Sequence, residues 1–214
     1  MDRRLRLGIE LTATTTTIDA AANAEEAGLD TVWLPEDPRY DPFPLMGAIA
    51  QATSSIGLGI IAFLATGRHP AILARELTAL DVVSNGRSLL MMIDEEPERL
   101  GEAAGICRAL FTREKTTIIG RHYRVVGAVN RPRPPQRAGL PIVVSLPVAG
   151  PPVAEAAVVH DHPELLGPVR ERFGLPVVWR GDIGEAEAAR EAGVDGLVLQ
   201  GVTDVDVARA MLER

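Results

Sequence analysis

Ala24-Glu25-Glu26-Ala27-Gly28-Leu29-Asp30-Thr31-Val32-Trp33-Leu34-Pro35-Glu36 holds one whole turn of the chain's rhythm. Glu25 and Glu26 sit on the polar face of an amphipathic run. Gly28 follows where a helix needs a left-handed residue to stop. Thr31–Pro35 is a short apolar run of strand length, and Glu36 arrives as the strand ends. Ala189-Arg190-Glu191-Ala192-Gly193-Val194-Asp195 repeats the helix end, the glycine and the approach to the next strand.

Working outward, the same alternation predicts strands at Leu5–Leu11, Thr31–Pro35, Ile56–Leu64, Ser88–Ile93, Pro141–Leu146, Ala156–His160, Pro176–Arg180 and Asp195–Gln200. It predicts helices at Thr17–Ala27, Leu45–Ala52, Pro70–Val83, Glu98–Phe111, Pro163–Phe173, Gly184–Ala192 and Val205–Leu212. Gly150-Pro151-Pro152 leaves almost no helix between strands five and six. Eight strand–helix units read as a closed, compact (β/α)8 TIM barrel, with an open doubly wound sheet as the alternative. The barrel is read as one domain over residues 1–214. A hairpin around Gly120 and the extended Arg131-Pro132-Arg133-Pro134-Pro135 connector interrupt it at 116–140.

The 214 residues suffice for a real core, with 46% hydrophobic content. A net charge of −7 argues against nucleic acid, whose backbone selects clustered Lys and Arg. No apolar stretch reaches membrane-spanning length and no secretory leader is legible, so a cytoplasmic protein is expected. Cys107, the single cysteine, lies in an apolar helical pattern and reads as core.

Several segments carry a family resemblance. Residues 24–36 resemble the second-strand region of the luciferase-like flavin and deazaflavin oxidoreductases. Ala52-Thr53-Ser54-Ser55-Ile56-Gly57-Leu58-Gly59 is similar to the family's third strand. Arg68-His69-Pro70 and Leu80-Asp81-Val82-Val83-Ser84-Asn85-Gly86-Arg87 resemble the helix after it, and Gly120-Arg121-His122-Tyr123 with Pro132-Arg133-Pro134 a later segment. The likeness runs in order over roughly the first 145 residues and fades after residue 150.

The resemblance implies a luciferase-like monooxygenase or oxidoreductase that binds FMN or coenzyme F-420 at the strand C-terminal ends and acts on a small organic substrate. It also implies a homodimer through the second and third helices. Two departures stand out. The family's fourth strand ends in a glycine-rich turn, whereas this one ends Asp94-Glu95-Glu96. Its fifth strand ends in glycines and a serine; here Ser145 is followed by Pro147, Pro151 and Pro152, which offer no N–H to a phosphate.

Strand ends carry the chemistry of a barrel, which gathers Glu10, Glu36, Asp37, Thr66, Asp94, Ser145, His160, His162, Arg180, Asp182 and Gln200 at one face. Glu36 and His69 are the candidate catalytic residues, Glu36 as a carboxyl whose affinity for a proton burial can raise. His69 reads equally as a helix cap. Phe63 and Thr66 are candidates for the cofactor ring, Ser145 for its phosphate. Arg180 with Gly201, at the start of the last helix, forms an alternative phosphate cradle. His160 and His162, at i and i+2 on one strand face, form a weaker candidate metal pair. Two further readings stay open: a degenerate relative that binds a ligand or partner without turnover, and a cofactor-free or metal-assisted enzyme using Glu36, Asp94, His160 and His162.

Overall fold

The structure is a computed structural model, and it describes residues 6–65, 67–136, 139–145, 154–173, 176–202 and 205–210. Eight parallel strands close on themselves: β1 (Arg6–Glu10), β2 (Thr31–Pro35), β3 (Gly57–Phe63), β4 (Ser88–Ile93), β7 (Ile142–Ser145), β8 (Ala156–His160), β9 (Val177–Asp182) and β10 (Gly196–Gln200), which returns to pair with β1. The remaining two strands, β5 (Thr116–Ile119) and β6 (Arg124–Ala128), form an antiparallel hairpin outside the ring. The closed barrel predicted from the eightfold rhythm is the fold; the open sheet is not.

The helices are α1 (Thr17–Glu26), α2 (Pro42–Ala52), α3 (Pro70–Val83), α4 (Pro97–Thr112), α5 (Leu166–Phe173), α6 (Ala186–Glu191) and α7 (Val205–Arg209). α2 begins three residues before the Leu45 start that its apolar pattern suggests. Asp41 caps it by accepting the Phe43 N–H at 3.0 Å, and Pro42 occupies the first turn, where its missing N–H costs nothing. The helix predicted at Gly184–Ala192 is split into a 3-10 turn at Ile183–Glu185 followed by α6. The prolines at 147, 151 and 152 lie outside the described residues.

Strand residues alternate between two cores, as a barrel wall requires. Val32, Leu58 and Leu90 face outward into the main core beneath the helices. Trp33, Ile61, Met91, Val143, Val158 and Val198 form a second cluster in the lumen, with Phe63, Ile93 and Val178 packed on it. The Trp33 indole fits because Gly59 of β3 and Gly8 of β1 carry no side chain: a Cβ on Gly59 would overlap the indole ring, and one on Gly8 would overlap the Thr31 hydroxyl that holds the indole. That hold is the Trp33 Nε1–H, which donates to Thr31 Oγ1 at 2.8 Å.

Polar clamps set the rest. Arg87 donates to the carbonyls of Ala50, Thr53 and Ile56 and so ties the end of α2 to β3 and β4. Glu102 of α4 accepts the N–H groups of Arg121, His122 and Tyr123 and pins the hairpin turn. Asn130 donates to Thr78 of α3 at 2.7 Å. The irregular 116–140 segment is thereby fastened over α3 and α4. No helix among the described residues is long and apolar enough to cross a membrane.

Glu25 plays the same role for the α2–β3 loop. Its carboxylate accepts the N–H groups of Ser54, Ser55 and Ile56 at 3.0, 2.5 and 2.8 Å. Against a burial penalty, these bonds pull its pKa down to about 2 from 4.5. A depressed carboxyl stabilises the fold above its unfolded pKa and stops doing so as pH falls through the folded one. Glu25→Gln is therefore expected to cost about 1–2 kcal/mol at neutral pH. In urea titrations that difference from the parent should shrink as pH drops from about 4.5 towards about 2.

Gly59→Ala tests the lumen. The added methyl has only the indole to displace, and a loss of about 1–3 kcal/mol is expected. A shifted Trp33 emission spectrum should accompany it. An unchanged midpoint and spectrum would mean that the indole has room to move.

Candidate functional site

Because all eight strands run the same way, Glu10, Phe63, Ile93, Ser145, His160, Asp182 and Gln200 end at one mouth, with Glu36 and Asp94 one residue beyond their strands. The mouth has two polar sides with the Trp33 cluster below them.

On the β2–β3 side, the Glu36 N–H donates to the Ile61 carbonyl at 2.8 Å, extending the strand pairing by one residue. Its carboxylate meets Arg68 Nε at 2.8 Å. Arg68 also serves Glu76 at 2.6 Å and Asp41 at 3.3 Å, and its guanidinium lies 5.1 Å from the centre of the Phe43 ring. One cation thus answers three carboxylates. Glu36 is the most enclosed, with its side chain 11% exposed, and its Oε2 is buried without a hydrogen-bond partner. Burial raises the Glu36 pKa above the ordinary carboxylate value; Arg68 and the Phe63 backbone oppose the rise, and Glu76 adds to it. The result is a carboxyl able to hold or release a proton at the mouth. Asp37, by contrast, turns outward into a pair with Arg39 at 2.6 Å.

Phe63 packs on the lumen cluster beside Ile93, as a ring-contacting residue should. Thr66 lies outside the described residues. His69 is the N-cap of α3: its Nδ1 accepts the Ala71 N–H at 3.1 Å, and its ring meets Tyr123 of the hairpin edge-on at 5.3 Å. Of its two readings, the cap is the one the geometry realises.

The acidic end of β4 turns back on itself. Asp94, whose side chain is fully buried, takes Arg99 Nε at 2.6 Å and Nη2 at 2.7 Å and caps the Glu96 N–H at 2.8 Å. Burial works against its charge, but the Arg99 fork and this N–H hold its pKa below the ordinary value. Asp94 therefore presents no bare charge to a ligand. Ser145 is consumed by the same corner: its Oγ accepts the Asp94 N–H at 3.0 Å and donates to the Asp94 carbonyl at 3.3 Å.

On the opposite side, Arg180 of β9 is clamped by Glu10 of β1, through Nε at 2.8 Å and Nη2 at 2.6 Å. The Gln200 amide turns its oxygen to the same guanidinium, accepting from Nη1 at 3.2 Å and Nη2 at 2.5 Å. His160 Nδ1 lies 3.4 Å from Nη1. The expected Arg180–Gly201 phosphate cradle thus has its cation already neutralised, and Gly201, at φ +67°, sits next to the Asp182 carboxylate. Thr203 and Asp204 lie outside the described residues.

His160 and His162 do not converge. β8 ends at His160, and Asp161 takes a left-handed φ of +52°, so the two-residue alternation stops there. His162 is exposed and pairs with Glu164 at 3.1 Å. Among the described residues no group of three or more His, Cys, Asp or Glu is placed to hold a metal ion.

Sequence reading named Glu10, Gln200 and Arg68 only as members of strand-end or loop segments; their roles as partners of Arg180 and Glu36 come from the closed ring. The Arg99 fork on Asp94 was missed. Its signal is the i, i+5 spacing across a helix start, which becomes meaningful only once Asp94 is known to be buried.

The description of the luciferase-like monooxygenase family matches residues 6–214, well past the point where the visible likeness fades. The F420-dependent glucose-6-phosphate dehydrogenase of Amycolatopsis mediterranei is 29% identical over 168 residues, covering 65% of this chain and 49% of that protein. One of the subunits of pristinamycin IIA synthase from Streptomyces pristinaespiralis is 32% identical over 176 residues, covering 68% and 61%. The chain spans about half the length of the F420-dependent dehydrogenases it matches. Among solved structures, the coenzyme F420 dependent tetrahydromethanopterin reductase from Methanopyrus kandleri superposes with a TM-score of 0.80 at 15% identity, covering 98% of both chains. That likeness extends the fold over the whole barrel. With a barrel closed by eight strands, its polar groups collected at one mouth and the family description spanning nearly its full length, the chain belongs to the luciferase-like monooxygenase family.

Proposed function

We propose that this chain is a flavin- or deazaflavin-dependent oxidoreductase acting on a small organic substrate, and that coenzyme F-420 is its cofactor in preference to FMN. The observation that carries the reading is Glu36: a buried carboxyl with raised proton affinity and one unsatisfied oxygen, at the mouth of a barrel of this family. The F420-dependent names among its relatives favour the deazaflavin.

The residues fit the ring of such a cofactor better than its phosphate. Phe63 and Ile93, packed on the Trp33 cluster, offer apolar side chains, and Glu36 offers a carboxyl at the same mouth. When bound, the group supplies hydride transfer; the chain holds it, keeps water off it and manages a proton at Glu36. For the phosphate, Ser145 and Arg180 are already engaged by internal partners. FMN hangs on its single terminal phosphate, and losing two or three charge-assisted bonds at roughly 1.5–3 kcal/mol each weakens it by orders of magnitude. The same observation supports a second reading, a relative that binds a ligand without turnover.

Titration separates them. The protein is expected to purify colourless, to bind FMN no better than micromolar, and to bind F-420 more tightly, read by quenching of Trp33. Glu36→Gln should fold normally, because a carboxyl with raised pKa contributes less to stability at neutral pH than after it gains a proton, and Arg68 keeps Glu76 and Asp41. The variant should retain F-420 within about fivefold while hydride-transfer turnover falls by about 10²-fold or more. Yellow protein as purified, or a nanomolar FMN constant, would overturn the cofactor assignment. Tight F-420 binding without hydride transfer to any small carbonyl compound or sugar would favour the second reading.

A homodimer is part of the same proposal. Ile72, Val82 and Val83 on α3 are exposed apolar side chains on the outer face expected to pair. Light scattering at micromolar concentration should give twice the chain's mass of 22.9 kDa. Val83→Glu should shift the mass towards monomer. We assign the protein to the cytoplasm on the same footing.

A further inference from the structure

The β1/β8/β9/β10 side of the mouth contains a donor that no internal group uses. An arginine guanidinium only donates hydrogen bonds. Arg180 Nη1 lies 3.4 Å from His160 Nδ1, and a hydrogen bond between them requires that nitrogen to be the acceptor, without a proton. A neutral imidazole has one N–H, so the proton sits on Nε2. Nε2 is buried and has no hydrogen-bond partner. His160 follows Ala156 and Val158 on the lumen-facing side of β8, so the N–H belongs to the barrel interior and not to the helix layer.

We propose that Arg180, itself held by Glu10 and Gln200, fixes His160 as the Nε2–H tautomer, and that this N–H is the barrel's donor to an uncharged oxygen acceptor, above all a carbonyl, on the substrate. The inference deepens the oxidoreductase reading by naming the class of group presented opposite Glu36. A neutral imidazole polarises a carbonyl without delivering a full charge. The charge count points the same way: Arg180 is matched by Glu10, so this side offers no net positive charge to a phosphate or carboxylate.

The charged groups acting on His160 are Arg180 on β9 and Asp161 on its own loop, with Glu10 reaching it through Arg180; β7 alongside presents the uncharged Ser145. Burial and Arg180 push the imidazole down to about 4, against Asp161, which keeps it neutral through the physiological range.

The test uses the full chain labelled with 15N-histidine, first without cofactor and then with F-420. Among its 4 histidines, one is expected to show a bare Nδ1 and a protonated Nε2, unchanged from about pH 5 to about pH 8, and to vanish in His160→Gln. A protonated Nδ1, or an imidazolium anywhere in that range, overturns the tautomer assignment. Cyclohexanone should then shift the Nε2 resonance, whereas cyclohexanecarboxylate, the same ring bearing an anionic group, should bind at least about tenfold more weakly. His160→Ala should lose roughly three- to tenfold in ketone affinity, and His160→Gln, which keeps an N–H near the Nε2 position, should stay within about twofold. No shift at saturating ketone, tighter binding of the carboxylate, or a His160→Ala protein that binds ketone as the parent does overturns the donor role. The nitrogen signature is read before any cofactor is added. Failure of F-420 to bind therefore overturns the F-420 assignment and leaves this one standing, and the reverse holds equally.

Discussion

Eight short parallel strands close into a ring only if the space inside is filled, and here an indole and the aliphatic side chains around it do the filling. Trp33 projects from β2 across the lumen, over Gly8 of β1 and Gly59 of β3. Its N–H is tied to Thr31 on its own strand, so it needs nothing from the mouth above. Everything functional rests on that floor. With the middle of the barrel closed by an apolar plug, the polar strand-end side chains collect at the mouth above it.

Above the floor, charge is arranged in closed sets. Arg180 answers Glu10, Arg99 answers Asp94, and Arg68 answers Glu36, Asp41 and Glu76. Arg180 and Glu10 balance, while Arg99 also meets Glu96 at 3.1 Å. The Arg68 set carries the largest excess of carboxylates, and Glu36 is the most enclosed of its three. Buried ion pairs of this kind add little net stability, since desolvation offsets most of the attraction. Their value lies in holding each side chain in one place. Arg180 lies against His160 in the same network, with Nη1 3.4 Å from the imidazole Nδ1. A stabilising charge lies elsewhere: Glu25 at the foot of the barrel accepts backbone N–H groups and the Ser54 and Ser55 hydroxyls.

How much of this was legible follows from the range of each interaction. The barrel was legible because helix stops such as Gly28 and Gly193 and apolar strands such as Thr31–Pro35 are local signals, repeated eight times. The cap role of His69 was half legible, because a residue before Pro70 has few conformations open to it. The partners at the mouth were not. Glu10 and Arg180 are 170 residues apart and meet only because β10 closes onto β1. The metal reading of His160 and His162 failed on one backbone angle: it needs the strand to continue through Asp161, whose left-handed φ ends it. The acidic end of β4 looked hostile to any anion because nothing in the sequence shows Arg99, five residues on, folding back over Asp94.

The pairing at the mouth also bears on what such a barrel selects. A phosphate or carboxylate group entering it would need a cation, and Arg68, Arg99 and Arg180 already have carboxylate partners at 2.6–2.8 Å. Recruiting one would strand a buried carboxylate, most severely Asp94 with no exposed side-chain surface. A neutral polar group meets no such obstacle. It has a carboxyl oxygen at Glu36 and an imidazole N–H at His160 on opposite sides, both buried and neither engaged by the protein. The mouth is thus organised by what its cations are already holding, which leaves these two atoms as polar groups without an internal hydrogen-bond partner.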